Sequence, residues 1–285
     1  MSLPGITRVP VPIVMLFLFA ALLLRSWLQT SLVGNGVEST LAADLSYLVV
    51  PPLLIVFLFP LLKTRRAWIV ELFRRKRLTL PVTLYAIATG LLLRIGDWCQ
   101  LIGGIALGLY VDPTAPPHPQ PSFMFACPDA TQLSLALLVT VILMPFVEEF
   151  VNRGLIQSAL AHRGPLIAIP AASALFALCH RTASWPVTFL AGLALGILFW
   201  KTRSLWPSLI THATVNALIL LDWRCLHGQW NPTLASLPLW QLALPSLTAL
   251  SLAVGGVVFI LREKMPGSMQ LPGTEQVTER LRPVQ

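Results

Sequence analysis

The chain has 285 residues, of which 55% are apolar and only 11% charged, and its mean hydropathy is +0.74. Soluble domains carry about 25% charged residues, so this composition excludes a set of soluble domains and points to one membrane domain with short tails. The net charge of +8 would suggest nucleic acid in a soluble protein, but the placement of the charge excludes that partner. The densest run, Lys63, Arg65, Arg66, Arg74, Arg75, Lys76 and Arg77, lies between two apolar stretches. That is the pattern of a cytoplasmic loop under the positive-inside rule, where it can also meet anionic lipid headgroups.

About twenty helical residues cross a ~30 Å hydrocarbon core. Apolar stretches at 11–33, 43–62, 81–110, 131–160, 165–182, 186–200, 206–223 and 238–262 therefore predict an all-α polytopic transmembrane bundle of about eight spans. The first carries Arg25 and lacks a small-x-small cleavage site, so it reads as a span and not as a signal peptide. The sixth is short and reads as tilted or partly re-entrant. Segment 111–130 holds Pro113, Pro116, Pro117, Pro119, Pro121 and Pro128, which exclude a regular helix and predict an extended outer loop. The four cysteines, Cys99, Cys127, Cys179 and Cys225, show no CxxC spacing, which argues against a zinc finger or redox motif. Cys127 and Cys225 both fall in outer loops, where a disulfide and two unpaired thiols are equally open readings. The tail after Lys264 has a disordered composition.

Lys and Arg counting sets the orientation. With the N-terminus in the cytoplasm, cytoplasmic segments hold fifteen Lys and Arg, while the opposite side holds only Arg181 and Arg224. Arg25, Arg94 and Arg153 fall within spans. The expected arrangement is eight spans with both termini cytoplasmic, in a bacterial inner (plasma) membrane. Four regions follow: N-terminal helices with the basic and Pro-rich loops (1–130), a membrane core (131–222), a last span (223–264) and a tail (265–285).

A charged group near the bilayer centre costs about 2.5–3.5 kcal/mol on insertion scales. The stretch Met144-Pro145-Phe146-Val147-Glu148-Glu149-Phe150-Val151-Asn152-Arg153 places three ionisable groups and one amide in an apolar span. Glu149 and Arg153 are four apart, share a helix face and can neutralise each other. Taken alone, they are as well read as a structural ion pair as an active-site element. Glu148 sits about 100° round the helix and needs a partner from elsewhere. A desolvated carboxylate so placed suits general acid–base work.

Two histidines lie in later spans. His180 ends Phe176-Ala177-Leu178-Cys179-His180, and His212 lies in Thr211-His212-Ala213-Thr214-Val215-Asn216. His212 and Asn216 are four apart and leave one helix in the same direction. A lone intramembrane histidine is more often a packing residue than a catalyst. Two of them, with an amide in register and an acidic pair, point to chemistry. Glu with His can deprotonate water, and His with Asn can donate to a developing oxyanion.

These blocks, Glu148-Glu149-x-x-x-Arg153-Gly154, Phe176-x-x-x-His180 and His212-x-x-x-Asn216, resemble the CAAX protease and bacteriocin-processing family of intramembrane peptidases. The link Ala191-Gly192-Leu193-Ala194-Leu195-Gly196, followed by Lys201-Thr202-Arg203-Ser204-Leu205-Trp206, is also similar, and the likeness covers roughly 130–222. It implies that Glu148 and His180 activate water, that His212 and Asn216 stabilise the oxyanion, and that Glu149 and Arg153 shape the site. It favours a glutamate-type mechanism with no cofactor; zinc on Glu148, His180 and His212 is the disfavoured alternative. The implied partners are the bilayer and a membrane-associated or lipid-anchored protein or peptide substrate. Many members have Phe before the motif Arg, where this chain has Asn152. Residues before 130 match nothing nameable and are candidates for substrate specificity. Straight spans set Glu148, late in a span running inward, and His180, late in the next running outward, at different depths.

Other signals weigh less. No His-Glu-x-x-His or Gly-x-Ser-x-Gly occurs, and Cys179 diverges from its neighbour His180 on a helix. Arg94 and Asp97, three apart in the third span, read first as an internal ion pair and second as a substrate contact. Trp98, Trp185, Trp200, Trp206 and Trp223 lie near span ends and read as interfacial anchors. The alternatives to an endopeptidase are a non-enzymatic immunity or scaffold protein using the same cavity, and a transporter. The latter lacks a visible inverted repeat.

Overall fold

The computed structural model describes residues 10–74, 78–106, 130–180 and 184–220, with the backbone alone at Thr40 and 98–106. Every regular element among them is a helix, because a chain in lipid must satisfy its backbone polar groups internally. The helices are α1 (Val11–Gly34), α2 (Ser39–Leu62), α3 (Arg66–Leu72), α4 (Leu80–Ala106), α5 (Ala130–Arg163), α6 (Pro165–Leu178), α7 (Trp185–Thr202) and α8 (Leu205–Leu220). The protein is an all-α helical membrane bundle. The expected eighth span, the Pro-rich loop, the Cys127–Cys225 pairing, the tail and Arg75–Arg77 lie outside the described residues.

Five helices are long and apolar enough to cross a membrane: α1, Leu41–Leu72 (α2 continued through a 3-10 turn into α3), the Leu80–Asp97 part of α4, α5 and α7. This corrects one expectation. The sixth apolar stretch, expected to be short, is the 18-residue α7; the short helices are the fifth and seventh, α6 with 14 residues and α8 with 16. At 1.5 Å per residue α6 is about 21 Å long, well under a ~30 Å core. It stops where the chain turns at Cys179 and His180, with no Gly or Pro there to announce it. His180 therefore stands just past a helix end.

The 34-residue α5 is the central element and touches α1, α2, α6, α7 and α8. It is not uniform. Leu137–Leu143 and Phe150–Gln157 are wound as π-helix, on either side of the regular turn Met144–Glu149. Such wide turns are rare and cluster at functional sites. At Gly164 φ is +85°, a conformation open to glycine, and the chain reverses into α6. Glu148 and His180 each lie sixteen residues from Gly164, so the two arms of this hairpin bring them level. The difference in depth expected from straight spans is resolved by the length of α5 and the shortness of α6.

Close helix contacts hold the rest. A Cβ on Gly90 of α4 would fall 2.7 Å from Thr214 Cβ and 2.8 Å from the Thr211 carbonyl oxygen on α8. One on Gly192 of α7 would fall 2.9 Å from Ser173 Cβ on α6. Small residues permit this approach, and dispersion between the helices then replaces contact with lipid. Beyond α3, Phe73 stacks on Phe146 and Phe150 at 5.6 and 6.3 Å and meets Trp206 edge-on at 6.0 Å. The Trp206 indole N–H donates to the Phe73 carbonyl at 3.0 Å. The end of the α3 segment is thus pinned against both α5 and α8.

Candidate active site

The regular turn Met144–Glu149 presents the two glutamates to different surroundings. Glu149 is fully buried. One of its oxygens, Oε2, faces Arg153 Nε at 3.3 Å, four residues on, and the other, Oε1, takes the His212 Nδ1–H at 3.0 Å. Arg153 is equally buried. Its guanidinium lies over the Phe176 ring, 4.7 Å from the centroid, and it donates to the Gly192 carbonyl at 3.1 Å. Glu148 has a side chain 22% exposed, and its Oε2 stands 3.7 Å from His212 Nε2. One imidazole therefore spans both carboxylates, one sealed and one open. That distance to Glu148 exceeds a hydrogen bond and leaves room for the ring or the carboxylate to reorient around a reactant.

Phe176 is shared by the rest of the constellation. Its ring lies edge-on to His180 at 4.7 Å and to His212 at 5.9 Å. His180 Nδ1 is 2.8 Å from the Phe176 carbonyl. A carbonyl only accepts, so Nδ1 carries a proton and Nε2 points away from this bond. The indole N–H of Trp185, a residue expected as an interfacial anchor, donates to the His180 carbonyl at 3.0 Å and ties the start of α7 to His180. Asn216 donates through Nδ2 to the Thr140 carbonyl at 2.8 Å, in the first π-helical stretch of α5. Glu148, Glu149, Arg153 and His212 thus meet directly. His180 joins them through Phe176, and Asn216 lies one turn from His212 on α8, turned to α5. Among the described residues, no three His, Cys, Asp or Glu side chains are placed to hold a metal ion.

Residues 130–218 match the family model described as Type II CAAX prenyl endopeptidase Rce1-like. Over that segment the chain is similar to the Rce1-like CAAX endopeptidases. No curated protein and no solved structure matches the chain. The family supports intramembrane protease activity in general terms, and with its long apolar helices the chain is an integral membrane protein.

Within the matched segment, the parts played by Gln157 and Thr211 went unread in the sequence, and Asn152 was read only as a departure from the family pattern. Gln157, four beyond Arg153, is buried and donates to the Gly196 carbonyl at 2.8 Å. Arg153 and Gln157 on α5 therefore grip Gly192 and Gly196 on α7, rung by rung, at matching spacing. The glycines leave their carbonyls uncovered, and a Cβ on Gly196 would fall 3.0 Å from Gln157 Oε1. The available signal was the amide at i+4 from Arg153 with the Gly-x-x-x-Gly pair downstream. Thr211, next to His212, donates to the Ala86 carbonyl at 2.8 Å and fixes α8 on α4. Asn152, on the Glu148 face, donates to the Glu148 carbonyl at 3.0 Å, and its Oδ1 is buried with no donor among the described residues.

Proposed function

We propose that the domain hydrolyses a peptide bond of a membrane-associated or lipid-anchored protein or peptide, with water activated by Glu148 and His180. The observation that carries this reading is the division between the glutamates: Glu149 is enclosed by Arg153 and His212, while Glu148 is open and lies 3.7 Å from His212 Nε2.

Glu148 takes a proton from water as the water oxygen attacks the substrate carbonyl carbon. His180, held through Nδ1 by the Phe176 carbonyl, assists through Nε2 when that nitrogen is unprotonated. The carbonyl oxygen becomes an oxyanion. Donors to it are Nε2–H of His212, as an imidazolium balanced by Glu149, and the second amide hydrogen of Asn216, whose first is held by Thr140. Protonated Glu148 then returns its proton to the amide nitrogen as the C–N bond breaks, leaving an acid and a free amine. Glu149, Arg153 and Phe176 keep His212 in place. No step requires a metal or other cofactor. Activity that survives a strong chelator is the corresponding expectation. By charge placement, the termini lie on the cytoplasmic side.

The test is mass spectrometry of membrane proteins from cells carrying wild type or Glu148→Ala. The expected result is a substrate whose new terminus vanishes in the variant, while the variant still inserts and folds. An unchanged set of termini overturns the catalytic assignment and favours a peptide-binding scaffold.

A further inference from the structure

None of the catalytic residues lines the apolar groove between α1 and α2. The groove has a volume of about 190 Å³ and is walled from Phe17 to Leu24 on α1 and from Val50 to Phe57 on α2. Each helix gives one stripe, at 17, 20, 21 and 24 and at 50, 53, 54 and 57, the three-and-four spacing of a single helix face. Ala20 and Ala21 leave the gap, because every other residue of the walls is larger. Leu24, Leu53 and Phe57 stay exposed, so the groove is open on its lipid side. The rings of Phe17 and Phe57 stack at 6.4 Å and join the two helices at one end of it.

That end points to a cluster of positive charge. Phe57 precedes Lys63 by six residues and Val50 precedes it by thirteen, which is about 9 and about 20 Å along a helix axis. On α1, Phe17 and Leu24 lie six and thirteen residues past Val11, so the two walls cover the same depth. Half of a ~30 Å hydrocarbon core is about 15 Å. The groove therefore follows the deeper part of one leaflet and reaches the midplane, where lipid tails end. Lys63, Arg65 and Arg66 stand at its basic end, and Lys63 and Arg66 are exposed. No Asp or Glu occurs before Glu38 or between Asp44 and Glu71, and Glu71 is engaged by Arg74 at 3.2 Å. The hairpin thus joins a lipid-facing groove to a net positive end.

We propose that this hairpin holds one anionic phospholipid, with its phosphate on Lys63 and Arg66 and one acyl chain in the groove. The chain exchanges one apolar neighbour for another and gains little by it, so the groove selects the tail by shape. Discrimination comes from the headgroup. Cations at a membrane surface attract anionic lipid, and a guanidinium takes two phosphate oxygens at once. Lys63 connects the two parts, because a long stem lies along apolar surface while its ammonium stays in water. Exposed cations alone hold any anionic lipid and an apolar gap alone holds any chain; together they fix one molecule in one place. Arg66 is also the first residue of α3, and Phe73 just beyond that helix stacks on Phe146 and Phe150. A lipid seated at Arg66 braces the segment that flanks Glu148.

The experiment uses the full-length protein in detergent, titrated with palmitoyl-oleoyl phosphatidylglycerol or with phosphatidylcholine of the same chains. Native mass spectrometry counts the bound lipids. The first phosphatidylglycerol is expected to bind at least about tenfold tighter than the first phosphatidylcholine, since each basic residue near a membrane surface is worth about fivefold. Lys63→Gln combined with Arg66→Gln should erase that preference, while Arg163→Gln, at an exposed cation on the α5–α6 turn, should keep it. Ala20→Phe fills the groove and should weaken phosphatidylglycerol binding by about fivefold or more. Leu16→Phe, on the exposed side of α1 outside the groove, should leave it unchanged. All these positions are exposed, so each variant should keep the wild-type unfolding midpoint when no lipid is added. Equal binding of the two lipids overturns the proposal, as does a preference that survives the double substitution or falls as far with Arg163→Gln. Binding untouched by Ala20→Phe overturns it as well. Displacement of phosphatidylglycerol by excess farnesol assigns the groove to an isoprenoid chain, and absence of any bound lipid leaves that face to protein; either result overturns the proposal.

Discussion

Helix α1 and the second half of α5 make opposite use of their side chains. Among the 24 residues of α1, mostly apolar, only Val14 is buried. The eight residues Phe150–Gln157 include Asn152, Arg153 and Gln157, and every one is buried. In water the apolar helix would be the core. In lipid, apolar surface gains little by meeting other apolar surface, and it is polar groups that need protein neighbours. The interior is therefore where hydrogen bonds can be satisfied: Glu149 to His212, Arg153 and Gln157 to the α7 carbonyls, Asn216 to Thr140.

The contrast predicts a graded set of responses. The largest loss of stability is expected from Arg153→Ala. Removing one member of a buried ion pair leaves Glu149 uncompensated and costs about 3–5 kcal/mol, read as a fall in the unfolding midpoint in detergent. Gly192→Val comes next. Its Cβ meets Ser173 at 2.9 Å and its backbone Cα at 3.1 Å, and forcing the helices apart costs about 1–3 kcal/mol; activity should fall with it as the Arg153 contact is stretched. Gln157→Leu removes one interhelical hydrogen bond, for which membrane measurements give about 0.6–1.7 kcal/mol. The smallest effect is expected from Leu23→Ala on α1, where the side chain is 73% exposed; a change within about 0.5 kcal/mol is typical of such sites. Equal losses from Leu23→Ala and Gln157→Leu in the same unfolding assay would break the contrast.

Much of this is legible in the sequence. The helices and most of their bounds follow from the length of chain needed to cross lipid, and the Glu149–Arg153 pair follows from i,i+4 spacing on one helix. What escaped is non-local or lacks a side-chain signal. The stop of α6 at Leu178 escaped because no Gly or Pro directly follows it. His212 and Asn216 were seen to point the same way, but not that Nδ1 would meet Glu149, 63 residues away, or that Asn216 would turn to Thr140. Gln157 escaped because its acceptor is the Gly196 backbone, and a carbonyl has no letter in the sequence. The fork of one imidazole across two adjacent glutamates depends on how α8 lies against α5, which spacing alone does not set.

The hairpin at Gly164 has a consequence for how this chain tolerates changes in length. Glu148 and His180 are level because both arms hold sixteen residues. One residue added to a single arm would slide one side of the centre by about 1.5 Å and turn it by about 100°, carrying Phe176 away from Arg153 or Glu148 away from His212. Insertions and deletions between Glu148 and His180 are therefore tolerated only when the two arms change together. The stretch from Gly34 to Ser39, which joins helices outside the centre, accepts them singly.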